Sequence, residues 1–154
     1  MIIRIATAED AQGIYDISAE AFHSPWSLEA ITDDLNATER TIYIVIEEDG
    51  QLIAYAGAWL VLDEGQITNI AVKPAFRKDG YGIMVTRKLI KEIWKLDKRE
   101  IFLEVRVSNV AALALYRRLG FATRGMRKDF YDDPKEDALI MSLIRSDEEI
   151  KESI

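Results

Sequence analysis

The chain has no cysteine and a single histidine, His23. Without thiols, disulfides, thiolate-bound zinc and an acyl-cysteine intermediate are excluded. His23 has no partner pattern for a metal or a nucleophilic triad, so it is assigned no role and no metal is expected. Positive charge is in deficit: 20 Lys+Arg stand against 27 Asp+Glu, a net −7. A general nucleic-acid binder needs a basic surface to neutralise phosphates, so that class is disfavoured. No apolar run approaches the ~18 residues of a membrane span. The first ten residues lack the basic-then-apolar layout of a secretory signal. A cytoplasmic protein with no membrane partner is expected. There is no repeat, low-complexity tract or internal linker.

What is present is a core. Of 154 residues, 49% are apolar, enough to offset chain entropy in one domain. Ile2, Ile3 and Ile5 open a strand. Thr7 and Asp10 make a box-like start for a helix over about 8–22, with Ile14, Ile17 and Ala21 at helical spacing. Ser27 is placed to cap a second helix that carries Leu28, Ile31 and Leu35. Residues 41–47 and 51–61 read as a hairpin around Asp49-Gly50, and 66–72 as a further strand. Val85, Leu89, Ile93 and Leu96 mark an amphipathic helix. A strand over 101–105, a helix opened by Ser108-Asn109 and closed near Gly120, and two final strands complete the order βααβββαβαββ. The fold class is α/β (α+β), a single mixed, mostly antiparallel sheet flanked by helices. One domain is expected over 1–145. The last residues, from Arg145 onward, read as a frayed end, with 146–154 an acidic tail.

Residues 72–82 are the most informative stretch. Gly80 and Gly82 stand at the start of a helix, directly after a strand. Glycine permits close backbone approach, and the free amides of a first helical turn point at anions. Arg77 and Lys78 add positive charge. This reads as a pyrophosphate cradle; the bare glycine pair also suits a simple tight turn. Neither a Walker loop nor a dinucleotide fingerprint is present.

Val72-x-Pro74-x-x-Arg77-x-x-Gly80-x-Gly82 resembles the acetyl-CoA pyrophosphate loop of the GNAT superfamily of N-acetyltransferases. The element order resembles that fold over nearly the whole chain. Leu103-Glu104-Val105-Arg106, Ser108-Asn109, Ala114-Leu115-Tyr116 and Leu119-Gly120-Phe121 are similar to the second half of its core. Pro25-Trp26-Ser27, residues 61–64, Asn69-Ile70-Ala71-Val72 and residues 136–141 narrow the likeness to the bacterial ribosomal-protein alanine N-acetyltransferases.

The resemblance implies acetyl-CoA as acetyl donor and CoA as product. It implies that Ile70, Ala71 and Val72 pair with the pantetheine arm. Arg77, Lys78, Asp79, Gly80, Tyr81, Gly82 and Ile83 would hold the pyrophosphate, and Asn109 would contact the cofactor. Glu104 takes the position of the general base and Tyr116 that of the general acid. Trp26 and Tyr131 fall on the acceptor side. Outside those motifs each has a plainer reading. Glu104 is then a half-exposed strand residue, Tyr116 a core aromatic, and Trp26 and Tyr131 packing residues. Arg117-Arg118 reads as a solvated helix face, with phosphate contact as the alternative. Asp79 departs from a loop that receives phosphates, and its direction decides whether that matters.

The acceptor implied is a protein N-terminus, and the chemistry agrees. At pH 7 about a tenth of α-amines are neutral against about 0.04% of lysines, so deprotonation costs about 1.4 against about 4.6 kcal/mol. One carboxylate suffices for the former. A phenol is a suitable donor to a departing thiolate, and direct transfer in a ternary complex is expected. Alternatives are a small-molecule amine acceptor or a non-catalytic acetyl-CoA-binding module. Residues 132–137 carry a net −3 and 145–154 a net −2. The first of these follows Tyr131 directly, where it would attract a basic peptide, such as the N-terminus of a ribosomal protein.

Overall fold

The computed structural model describes residues 1–146. The expected acidic tail, apart from Ser146, lies outside the described residues. Seven strands, β1 (Ile2–Ile5), β2 (Thr41–Glu48), β3 (Gln51–Val61), β4 (Glu64–Val72), β5 (Glu100–Arg106), β6 (Ala122–Asp132) and β7 (Lys135–Ile144), form one sheet. Its order is β1-β2-β3-β4-β5-β7-β6. Among the described residues, only the β4–β5 junction is parallel. The helices are α1 (Ala11–Ala21), α2 (Leu28–Asn36), α3 (Tyr81–Lys95) and α4 (Val110–Arg118). The expected order and sheet character therefore hold.

The sheet is buried on both faces at its centre. Residues 41–46 of β2 are buried without alternation, as a strand covered on two sides requires. One face packs on α3 and α4: Val85, Leu89 and Ile93 lie against Ile44, Ile46, Ile101 and Leu103. Complete burial of such a side chain stabilises by ~1.5–3 kcal/mol, and Leu89→Ala would cost ~2–5 kcal/mol. The other face packs on α1 and α2, with Ile14, Ile17, Ile31 and Leu35 around Tyr43, Val45 and Tyr55.

Helix starts follow the local chemistry. Ser27 Oγ accepts from the Ala30 amide at 3.0 Å, and Asp10 accepts from the Thr7 amide at 2.8 Å. The first turn of the expected 8–22 helix is a 3-10 turn over Ala8–Asp10. Two residues assigned to buried helix faces are at the ends of those faces and exposed: Leu28 by 39% and Leu96 by 48%. Arg145 corrects the frayed-end reading. It is only 5% exposed, and its guanidinium donates to the Trp94 carbonyl at 3.1 Å and to Asp97 at 3.0 Å. A long side chain that satisfies a helix C-terminus anchors the end of the last strand.

Candidate active site

β4 and β5 pair only from Glu64↔Glu100 to Gln66↔Phe102. Beyond Gln66 they part. β4 stays paired to β3 on its other side as far as Val72, and β5 stays paired to β7. The cause is local. The β3–β4 register slips between Gly57 and Ala58, which face Asn69 and Ile67. Thr68 is therefore an extra residue in β4, and such a bulge bends its strand. Gly57 is required there, because a Cβ would lie 2.5 Å from the Tyr43 ring. The result is a V-shaped opening in mid-sheet, with the β5-facing edge of β4 unpaired from Ile67 onward. Ile70, Ala71 and Val72 all lie along this edge.

The opening points toward the loop before α3. Gly80 is the N-cap with φ +85°, a left-handed conformation suited to glycine. A Cβ there would meet nothing within 4 Å, so the outer side of the loop is open. The first intrahelical bond runs from the Met84 amide to the Gly80 carbonyl at 3.1 Å. The amides of Tyr81, Gly82 and Ile83 are thus left outside the helical ladder. Lys78 and Asp79 are exposed, and Lys78 also has positive φ, +70°. Arg77, assigned to phosphate, spends its Nε on the Val72 carbonyl at 3.1 Å, which folds the loop back onto the strand end. Phe76 and Tyr81 pack edge to face at 6.0 Å.

Glu104 projects from β5 opposite to the buried Leu103 and Val105. It faces the α1–α2 side, beyond the point where β4 leaves. Arg127 Nε of β6 is 3.7 Å from its Oε1. Tyr131 lies close enough that the Glu104 charge contributes to raising its phenol, burial being the larger cause. The Arg106 guanidinium carbon stands 4.1 Å from the Tyr131 ring centroid. The same side chain donates to the Pro134 carbonyl at 2.8 Å and to Glu136 at 3.2 Å. Arg106 therefore fixes both Tyr131 and the acidic turn that follows.

Tyr116 is 8% exposed and packs against Phe121 at 5.7 Å. Burial, with a smaller influence of Tyr131, pushes its phenol above the ordinary tyrosine value. It stays protonated through the neutral and mildly alkaline range. Tyr131 thus lies close enough to influence Tyr116 and to be influenced by Glu104. Asn109 caps α4, its Oδ1 accepting from the Ala112 amide at 3.1 Å. That oxygen is committed to the helix; its amide nitrogen remains.

Trp26 lies 5.7 Å from Trp59, ring to ring. Together with Ala30, Asp33 and Asp34 they line a cleft of about 480 Å³. Asp34 accepts from Tyr43 Oη at 2.7 Å and from Trp59 Nε1 at 3.0 Å. His23 Nε2, assigned no role, lies 3.1 Å from Asp133 and so links the α1–α2 loop to the β6–β7 turn. Among the described residues, no group of three or more His, Asp or Glu could hold a metal ion. No described helix is long and apolar enough to cross a membrane. Sequence reasoning missed Arg106 and Arg127. Arg106 had a signal, since it is two residues from Glu104 and shares its face of the strand. Arg127 had none, because its approach depends on a register shift in β6.

Comparison with known proteins agrees with this geometry. Residues 11–121 match the Acetyltransferase (GNAT) family. A Bacillus subtilis relative, provisionally named a [ribosomal protein bS18]-alanine N-acetyltransferase, is 42% identical over 139 residues, 90% of this chain and 92% of its own. The crystal structure of the ribosomal-protein-S18-alanine N-acetyltransferase from Escherichia coli superposes with a TM-score of 0.84. It is 36% identical, covering 94% of this chain and 95% of its own. A Salmonella typhimurium protein solved with its cofactor acetyl-CoA shares the fold at a TM-score of 0.83 and 21% identity, covering 96% and 95%.

Proposed function

The chain belongs to the acetyltransferase (GNAT) family, and on that premise we propose that it acetylates the N-terminal α-amine of a protein. The acceptor is the N-terminal alanine of a ribosomal protein, the donor is acetyl-CoA, and transfer is direct within a ternary complex in the cytoplasm. The observation that carries this reading is the opening between β4 and β5, with Glu104 at one side and the α3 amides at its end.

The residues present fit acetyl-CoA. The amides of Tyr81, Gly82 and Ile83 lack helical partners, and Gly80 leaves the approach open. They would hold the pyrophosphate, with Lys78 adding charge. The unpaired edge at Ile70, Ala71 and Val72 would take amide hydrogen bonds, as an added strand does. The Asn109 amide nitrogen is the remaining polar group at the start of α4. When bound, acetyl-CoA supplies the acetyl group as a thioester.

Glu104 accepts the proton that the α-amine loses as its nitrogen forms the new C–N bond. Tyr116 donates a hydrogen bond to the sulfur as the C–S bond breaks. Its raised pKa favours donation of a hydrogen bond over complete loss of the proton, a narrower role than that of a general acid matched to a thiolate. The chain has no cysteine, so no acetyl-cysteine intervenes. Trp26 and Tyr131 border the acceptor, and the acidic turn held by Arg106 draws a basic peptide toward it. The test is acetyl-CoA turnover on an alanine-starting basic peptide beside a panel of polyamines and amino sugars. Turnover on the peptide is expected; turnover only on the small amines would overturn the reading.

A further inference from the structure

Oδ1 of Asn69 is buried and accepts no hydrogen bond from any described residue. Buried acceptors are nearly always paired, and an orphan calls for a cause. Its place in the fold supplies one. Gln66 is the last β4 residue paired to β5, opposite Phe102. Two residues further along β5 is Glu104. Three further along β4 is Asn69, and the bulge at Thr68 absorbs one of those three. Counted from their last pair, Asn69 and Glu104 fall at the same level on the two diverging strands. They also share a face. Asn69 is two residues from Ala71, which packs in the α1–α2 cluster. Glu104 points away from Leu103 and Val105, which belong to the α3 side.

We propose that Asn69 positions the acceptor: its Oδ1 receives one N–H of the incoming α-amine while Glu104 faces the other. A neutral primary amine has two N–H bonds and one lone pair. With one N–H held from β4 and the other from β5, the lone pair is directed into the opening between them. A secondary amine has one N–H and cannot serve both groups. Asn69 therefore favours primary over secondary amines. This assignment rests on the acceptor reading above and adds a residue to which no role had been given.

The test compares wild type, Asn69→Ala and Asn69→Asp on two peptides, one starting with alanine and one with N-methylalanine. Asn69→Ala should raise the acceptor KM at least tenfold and leave the acetyl-CoA KM within twofold. Its preference for alanine over N-methylalanine should shrink at least fivefold, which a merely structural role would not produce. Its melting temperature should be equal to or above that of wild type, because an unpaired buried acceptor has been removed. Asn69→Asp keeps an oxygen in the same place and should hold the acceptor KM within threefold. If wild type acetylates the peptide but Asn69→Ala leaves both the acceptor KM and the preference unchanged, the assignment is overturned. It is overturned equally if Asn69→Ala melts lower and loses both substrates alike. A wild-type protein that acetylates no peptide α-amine removes the acceptor reading itself.

Discussion

Gln66 of β4 and Phe102 of β5 are the last partners at the one parallel junction found among the described residues. A strand edge left unpaired inside a sheet exposes amides and carbonyls that must meet water or a ligand. Here the edge belongs to β4, its neighbour across the gap is β5, and the open end leads to the start of α3. On the proposed reading, the acetyl donor, the amine acceptor and Glu104 meet at that place.

Replacement of Glu104 and Tyr116, proposed to accept the amine proton and to hydrogen-bond the thioester sulfur, should separate binding from transfer. Glu104→Gln should lower kcat by about 100-fold or more. Tyr116→Phe should lower it by about tenfold or more while retaining the ring contact with Phe121. Calorimetry should find acetyl-CoA binding within a factor of about two of wild type in both. Unchanged kcat in both variants would mean that neither group acts in the transfer step.

Gly80→Ala isolates the loop conformation. At φ +85° a Cβ costs ~1–2 kcal/mol, yet it would meet no neighbouring atom. A lower melting temperature together with a raised acetyl-CoA KM is expected, measured by thermal melts and steady-state kinetics. Wild-type values for both would show that the left-handed N-cap is not needed.

Stability at low pH should depend on Asp10. Hydrogen bonds from Arg4 at 2.8 and 2.9 Å hold its carboxyl below the ordinary value. A depressed folded value contributes stability above the unfolded value, near pH 4, and loses it as pH falls through the folded value. Asp10→Asn should therefore cost ~1–3 kcal/mol at pH 7, and the gap should narrow progressively as pH falls below about 4 toward and through the folded value. Urea unfolding at a series of pH values measures the difference; a constant gap across that range would contradict it.

Asp34 ties α2 to the sheet through Tyr43 and Trp59. Asp34→Ala orphans two donors, one on the buried Tyr43, and should destabilise by ~2–3 kcal/mol. Tryptophan emission should move to the red as the Trp26–Trp59 pair loosens. An unshifted spectrum with an unchanged melting temperature would remove this strut from the account.

The elements were legible because their signals are local. Glycine and proline spacing marked the loop over 72–82, and helical periodicity placed Val85, Leu89 and Ile93 on a buried face. Glu104 and Tyr116 were reached through motif resemblance; Glu104 stands on β5 beyond its last pairing with β4, and Tyr116 is buried on α4. What was hidden depends on distant parts of the chain. The orphaned oxygen of Asn69 requires the bulge at Thr68. The approach of Arg127 to Glu104 requires β6 to lie outside β7, with its register shifted between Arg127 and Tyr131. Arg145 was misread because a charge at the head of an acidic segment looks solvated, whereas the end of α3 supplies its acceptors.

The central claim is transfer to an α-amine, and the position of the acetyl group decides it. A peptide that starts with alanine and carries an internal lysine should be incubated at pH 7 with the enzyme and acetyl-CoA, then fragmented in a mass spectrometer. The acetyl group should be found on the alanine nitrogen. Acetyl found only on the lysine, or on neither, would contradict the account.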